Sequence, residues 1–391
     1  MKTYLCSLAA AFALFAGVAQ AQSLDDLNIQ IHGYATQGFL YTTNNNIFTT
    51  SSSNGSPAWT EAVVNITAQP IPKLRIGVQG RYFLLGNLGN AITLDWAAAD
   101  YKASDMFGVR FGKVKTPTGL LNEVQDIDPS YMWSLLPQAV YPITSRNSFL
   151  AHYGGVVYGT LKLGQKAGKL EYRGWDGELA IGSSDGYFVS LREEGIDFPN
   201  GVSQVIYGAA LHWRTPLPGV MLGASLNHGN KGANATTFAV PTQGTFNGSL
   251  TTHAVNSQQY FGRFEKDKIM IAGEYERQPL TGALIVPGVL YEPTKTDYRS
   301  WYAMGSYKLT GKLSAGVYDA QFVNRQGPLG PTRDFFDWVF SGRYDFNQYV
   351  YAKAEQHLIS GTATSVYDTT LNADGLKPST KMTIFKVGVS F

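Results

Sequence analysis

The amino-acid sequence predicts an all-β protein: an antiparallel barrel of sixteen strands that spans a membrane, with one long connector folded inward. Three observations predict it. Apolar and polar residues alternate along many segments, short turns alternate with longer polar connectors, and aromatic residues recur toward segment ends. The chain has 391 residues, of which 15% are charged and 13% aromatic, a composition that excludes a disordered or nucleic-acid-coating chain. Beyond the first residues, no apolar run approaches the ~18 residues that a spanning helix needs.

The N-terminus predicts export. Lys2 precedes an apolar stretch at 5–18, and Ala19-Gln20-Ala21 forms a small-x-small cleavage site. This order of features is typical of a cleaved signal peptide over residues 1–21. The single cysteine, Cys6, lies inside it, so the remaining domain, 22–391, is cysteine-free. An exported domain of this size without disulfides needs another stabiliser, and the hydrogen bonding of a closed barrel supplies one.

The strand prediction depends on alternation with period 2, which places apolar residues on one face and polar residues on the other. In the last segment Phe385, Val387, Val389 and Phe391 share one face. The clearest segments are 74–82, 205–214, 336–344, 350–357 and 385–391.

The connectors give the strand number. Seven short turns are predicted at 69–73, 103–106, 164–169, 215–219, 265–268, 309–312 and 345–348. Eight longer, mostly polar loops are predicted at 44–57, 85–92, 116–152, 182–203, 228–257, 278–297, 323–334 and 358–379. Fifteen connectors join sixteen strands, and both chain ends fall on the short-turn side. Short turns on one side and long loops on the other are typical of membrane-spanning β-barrels.

Closure of the sheet follows from the membrane, because every backbone N–H and C=O in lipid must find a partner within the protein. Aromatic residues near strand ends, such as Tyr82, Trp213 and Tyr344, fit the interfacial girdles of such barrels. The alternative is a soluble exported β-protein whose apolar faces pack inward. That alternative explains neither the alternation of turns and loops nor the terminal Phe391.

The sequence resembles the Gram-negative outer-membrane porins, including general porins and relatives of the phosphate-selective type. The segments that carry the resemblance are the opening strand at 31–36, the strand and following loop at 109–120, and the C-terminal strand at 382–391, which ends in Phe391. The resemblance implies a sixteen-stranded barrel in the outer membrane, and a homotrimer in contact with lipid and lipopolysaccharide. It also implies that Phe391 is the assembly signal read by the barrel-insertion machinery.

The longest connector, 116–152, follows the fifth predicted strand, where porins fold a loop into the lumen. Its apolar centre includes Trp133, Leu135 and Leu136, which would not stay in water. We therefore expect this loop to pack on the inner wall and narrow the pore. The acids expected to face the pore from the loop are Glu123, Asp126 and Asp128, without a preference for one of them. The basic wall expected opposite them, by the same resemblance, consists of Arg75, Arg81, Arg110, Lys113, Lys115 and Arg146.

These features predict an outer-membrane porin, a water-filled channel for passive diffusion of small hydrophilic solutes and ions, with a slight preference for anions. Two alternatives stay open: a substrate-specific channel for anions such as phosphate or carboxylates, and a non-conducting adhesion or structural barrel. No Gly-x-Ser-x-Gly elbow or complete P-loop is present, and the six histidines lack ligand spacing. We therefore predict no enzyme activity, no cofactor, no metal site and no nucleic-acid partner.

Overall fold

A computed structural model describes residues 27–193, 195–240, 244–364, 367 and 370–391. The predicted signal peptide, 1–21, with Cys6, lies outside the described residues. In the described part of the chain, the strands are β1 (Gln30–Thr42), β2 (Ser56–Ile71), β3 (Leu74–Leu85), β4 (Ala91–Lys102), β5 (Gly108–Lys115), β6 (Ala151–Gly164), β7 (Gly168–Ile181), β8 (Ile196–Asp197), β9 (Val202–Arg214), β10 (Val220–Gly229), β11 (Gly232–Val240), β12 (Gly244–Thr252), β13 (Val255–Lys266), β14 (Ile269–Val286), β15 (Leu290–Lys308), β16 (Leu313–Asn324), β17 (Asp334–Asp345), β18 (Val350–Gly361) and β19 (Ser379–Ser390).

Sixteen of these strands form one closed antiparallel barrel, which confirms the predicted fold class. Each strand pairs with its neighbour along the chain, except that β7 pairs with β9 and β10 with β13. The barrel closes where β1 pairs with β19, from Tyr34 opposite Ser390 to Thr42 opposite Met382. The three remaining strands, β8, β11 and β12, belong to the long loops on one side of the barrel.

The wall has an apolar outer face and a mixed inner face. In β19, Phe385, Val387 and Val389 are about half exposed, whereas Ile384 and Lys386 point inward and are buried. A soluble protein would place such an alternating apolar face inward, so this arrangement indicates a lipid-facing belt. Among the described residues, no helix has the length and apolar content needed to cross a membrane.

The seven predicted turns fall between strands as expected, but two predicted loops need correction. The connector predicted at 278–297 is largely a hairpin, because β14 and β15 continue to a turn at 287–289. The connector at 228–257 contains the hairpin β11–β12. The segment 228–257 is polar and rich in threonine and glycine, and 278–297 has polar ends around an apolar stretch at 283–291. The polar composition of 228–257 suits strands that have water on both faces and satisfy their backbone groups by pairing with each other.

Candidate functional site

The chain between β5 and β6 crosses the lumen to the opposite wall. The Gly119 N–H donates to Ser225 Oγ on β10 at 3.0 Å, and Thr118 Oγ1 donates to Gln259 Oε1 on β13 at 2.9 Å. Leu120 N–H then donates to the Glu274 carboxylate on β14 at 3.2 Å. These bonds fix the first turn of the loop far from the strands that carry it. Residues 116–150 are called the inserted loop below.

The apolar centre of the inserted loop packs on the inner wall, as its composition predicted. Trp133 and Leu135 are almost completely buried. The Trp133 ring meets Tyr318 of β16 edge to face, with 5.0 Å between ring centroids. Tyr302 on β15 and Val339 on β17 extend the same cluster. Because these apolar surfaces are removed from water together, the hydrophobic effect holds the loop against the wall.

Asp128 holds the inserted loop to the wall through three polar side chains. Its carboxylate accepts hydrogen bonds from Lys353 Nζ at 2.9 Å, Lys386 Nζ at 2.7 Å and the Tyr351 hydroxyl at 2.7 Å, and the residue is 1% exposed. Burial alone would raise the pKa of Asp128, but the two ammonium groups outweigh burial and hold it well below its usual range. The expectation that Asp128 faces the pore is therefore wrong. Two cations on adjacent strands draw it to the wall.

Asp126 is also turned away from the open lumen. Gln79 Nε2 and Lys115 Nζ each donate to its carboxylate at 2.7 Å, and the residue is buried. The Tyr34 hydroxyl donates to its backbone carbonyl at 3.0 Å. The expected pore-facing position of Asp126 is corrected in the same way, because partners from β1, β3 and the end of β5 surround it.

Glu123 is the predicted acid that stays partly open to the lumen, with 27% of its side chain exposed. Arg110 Nη1 lies 3.1 Å from one carboxylate oxygen, and Arg173 Nε lies 3.3 Å from the other. Arg110 also contacts Asp100 at 2.8 Å. The result is a chain of alternating charges along the wall from β4 to β7.

The predicted basic residues separate into buried and more exposed ones. Arg81 is buried against Glu61 at 2.6 Å. Arg146 is buried in a two-pronged pair with Asp95 at 2.8 and 2.9 Å. Both are buried and ion-paired, so neither presents an exposed guanidinium to the lumen as expected for a basic wall.

Arg75 is exposed, and its Nη2 reaches Thr67 Oγ1 at 3.3 Å. Together with Arg110, Lys115 and Glu123 it lines a cavity of about 290 Å³ on the short-turn side of the loop. Lys113 lies apart from this group. Its Nζ donates to the Leu94 carbonyl, and it lines a second cavity, of about 470 Å³, with Arg81.

Several residues that hold the inserted loop were not singled out from the sequence as site residues. Glu355 on β18 accepts the Ser134 and Leu135 N–H groups at 2.6 and 3.2 Å. Lys353 and Lys386 bind Asp128, as described above. Alternation already placed all three on the inner face. Their partners could not be predicted, because those partners lie more than 200 residues away along the chain.

Phe391 lies on the outer face at the barrel seam. Its N–H donates to the Gly33 carbonyl at 3.0 Å, and the Gly33 N–H donates back at 3.1 Å. The ring lies so close to Gly33 that a β-carbon there would stand 2.8 Å from it. The side chain itself is exposed, so it is accessible from the lipid side.

In the described part of the chain, no group of three or more His, Cys, Asp or Glu residues is placed to hold a metal ion.

Several solved structures share this architecture. In-vitro folded OmpT, an outer membrane protein of Vibrio cholerae, matches with a TM-score of 0.56 at 12% identity, over 96% of this chain and 100% of that chain. The anion-selective porin from Comamonas acidovorans matches with a TM-score of 0.56 at 10% identity, over 93% and 99%. OmpF of Salmonella typhi, in complex with daunomycin, matches with a TM-score of 0.58 at 11% identity, over 95% and 99%.

The chain has the porin fold. At these identities the similarity concerns the fold alone. No protein-family model matches the sequence, and no curated protein matches it. The inserted loop is compatible with this fold, because a barrel of sixteen strands is wide enough to hold both a loop and an aqueous path.

Proposed function

We propose that the protein is a porin of a Gram-negative outer membrane: a water-filled channel for passive diffusion of small hydrophilic solutes and ions. One observation carries the proposal. A closed sixteen-stranded barrel with an apolar outer face holds a loop inside its lumen, and charged cavities remain beside that loop. The loop limits the size of the solutes. The exposed charges beside it filter them by sign.

The charge beside the loop favours anions slightly. The cavity next to Glu123 is lined by three basic residues, Arg75, Arg110 and Lys115, against two acids, Asp100 and Glu123. Arginine is suited to this role because its planar group stays charged at every relevant pH. A substrate-specific channel for phosphate or carboxylates is the second candidate, and the three basic residues that line this cavity favour it.

Planar-bilayer conductance of the refolded protein tests the proposal, with the reversal potential measured in a salt gradient. We expect steady ohmic steps and a reversal potential of the anion-selective sign. If micromolar phosphate or a carboxylate blocked the current, the second candidate, a substrate-specific channel, would replace the proposal of passive diffusion. If a barrel that still resists heat in detergent carried no current, both channel functions would be contradicted, and a plugged, adhesive barrel would be supported.

We further propose that residues 1–21 are removed on export, that the barrel forms a homotrimer, and that the insertion machinery reads Phe391. OmpT of Vibrio cholerae has been solved in a trimer form, and the exposed Phe391 ring supports a recognition role. Deletion of Phe391 should lower the yield of heat-resistant barrel in cells, whereas Phe346→Ala in a short turn should not. Equal yields would exclude the role of Phe391.

A further inference from the structure

An arginine without a countercharge lines the cavity of about 290 Å³ beside the inserted loop. This space is called the side cavity. The Arg75 side chain is exposed, and its one hydrogen bond within the described part of the chain goes to the Thr67 hydroxyl at 3.3 Å. The ion pairs of the neighbouring wall, among the described residues, do not include Arg75. An accessible guanidinium therefore faces the aqueous path.

The acids nearest to Arg75 already have partners. Asp100 stands directly opposite Arg75 in the β3–β4 ladder, yet its carboxylate accepts from Arg110 Nε at 2.8 Å and from the Tyr158 hydroxyl. Glu123 accepts from Arg110 Nη1 at 3.1 Å. The charge of Arg75 is thus left without a close partner, and an anionic group of a solute can supply one.

The indole ring of Trp96 gives the side cavity an apolar surface. The residue is partly exposed and lines the cavity from β4. Its ring lies across Gly77 of β3, where a β-carbon would stand 2.9 Å from two of the ring carbons. Any larger residue at this position would push the ring off the wall. Lys115 Nζ lies 5.7 Å from the ring centroid and is held by Asp126 at 2.7 Å.

The charge and the ring are neighbours on the wall. Arg75 and Gly77 are two residues apart on the same face of β3, a spacing of ~7 Å. Gly77 pairs with Ala98 of β4, so only small side chains separate the guanidinium from the indole. An enclosed space of ~150 Å³ is enough to hold a benzene ring. The side cavity therefore has room for a planar ring that carries a carboxylate.

We propose that the side cavity binds small aromatic carboxylates, an inference that rests on the proposed channel function. The carboxylate pairs with Arg75, whose planar group can donate two parallel hydrogen bonds to it. The ring packs on the indole of Trp96, where aromatic contacts add to the burial of apolar surface. Inorganic anions and short aliphatic carboxylates would use the arginine alone. The pair of groups thus selects one class among the anions that the channel admits.

The test compares three solutes: benzoate, acetate and benzamide. Benzoate and acetate share the carboxylate, whereas benzamide keeps the ring without the charge. Ionic current through single channels is recorded while each is added. We expect benzoate to interrupt the current with an affinity about tenfold higher than acetate, because only its ring covers the indole. Its affinity should exceed that of benzamide about fivefold, because benzamide forms no ion pair. Benzoate that binds no more tightly than acetate or than benzamide would overturn the proposal.

Two variants assign these preferences to the side cavity. Trp96→Leu should reduce the preference for benzoate over acetate to about twofold, and the matched change Trp338→Leu on the outer face should leave it unchanged. Arg75→Gln should remove the preference for benzoate over benzamide, and Arg325→Gln, exposed in a long loop, is its control. Preferences that survive both cavity variants, with normal heat resistance of the folded barrel, would overturn the site.

Saturation-transfer NMR with the protein in lipid nanodiscs separates this site from the channel function. Empty nanodiscs provide the background. Transfer to benzoate that Trp96→Leu and Arg75→Gln each reduce, in a protein that carries no current, would contradict the porin proposal and support the site. Normal conductance with a transfer to benzoate that neither variant changes would support the porin proposal and overturn the site.

Discussion

Two parts of the inner wall use the same kinds of charged residue in different ways: one part buries them and the other leaves them partly exposed. Under the inserted loop, from β15 to β19, Asp128 is buried between two lysines, and an apolar cluster surrounds it. Where the wall borders the cavity beside the loop, at Arg110 of β5 and Arg173 of β7, Glu123 meets both arginines and stays partly exposed; this part is called the uncovered wall.

The difference shows that burial decides what a charge does in this lumen. A buried carboxylate without water depends completely on its partners, so breaking the set is costly and the set acts as an anchor. A partly exposed pair is screened by water and contributes little to stability. It keeps a field in the aqueous path, which is what selects ions. The predictions below test this division.

Asp128→Asn should have the largest effect. It leaves Lys353 and Lys386 buried without a countercharge, and breaking such a set typically costs ~3–5 kcal/mol of folding free energy. We expect lower heat resistance in detergent and a larger, noisier single-channel current as the loop loosens. Asp105→Asn, in an exposed turn where Asp105 meets Lys102, is the matched control and should change neither. A stable, quiet Asp128→Asn channel would contradict the anchor.

Acid should weaken the same anchor. The pKa of Asp128 is depressed in the folded protein, so its contribution to stability is present above the unfolded value of about 3.9 and declines as pH falls below it. The stability difference between wild type and Asp128→Asn should stay constant from pH 7 to pH 5 and shrink below about pH 4. Denaturant unfolding at each pH measures it. A difference that shrinks already at pH 6 would point to another group.

Arg75→Ala combined with Arg110→Ala should change selectivity more than stability. Loss of two cations beside Asp100 and Glu123 should shift the permeability ratio toward cations by about two- to fivefold, or ~0.4–1 kcal/mol of electrostatic energy. The reversal potential in a salt gradient measures the shift. Lys162→Gln, on an exposed strand end, is the control. An unchanged reversal potential would remove both arginines from the filter.

Glu123→Gln should have the smallest effect, with the opposite sign. Because its partners are partly exposed, we expect the free energy of unfolding to fall by no more than ~1 kcal/mol, and the permeability ratio to move toward anions. A loss of stability as large as that of Asp128→Asn would contradict the division between the covered and the uncovered wall.

The barrel could be predicted from the sequence because its determinants are local. Alternation with period 2, turns such as 215–219 and 309–312, and the need to pair backbone groups in lipid fix strand number and closure. The same alternation placed Arg110, Lys353 and Lys386 on the inner face. It could not separate the hairpin β11–β12 from a polar loop, because strands with water on both sides carry no apolar stripe.

The direction of the loop's acids was decided by tertiary structure. Asp126 and Asp128 were expected to face the pore, yet both meet the wall. Lys353 on β18, which binds Asp128, lies 225 residues further along the chain. No residue near Asp128 in the sequence predicts this contact. A local pattern determines which face a side chain occupies. Its partner across the lumen is determined only when the barrel has closed around the loop, and that partner decides the burial and the role of the side chain.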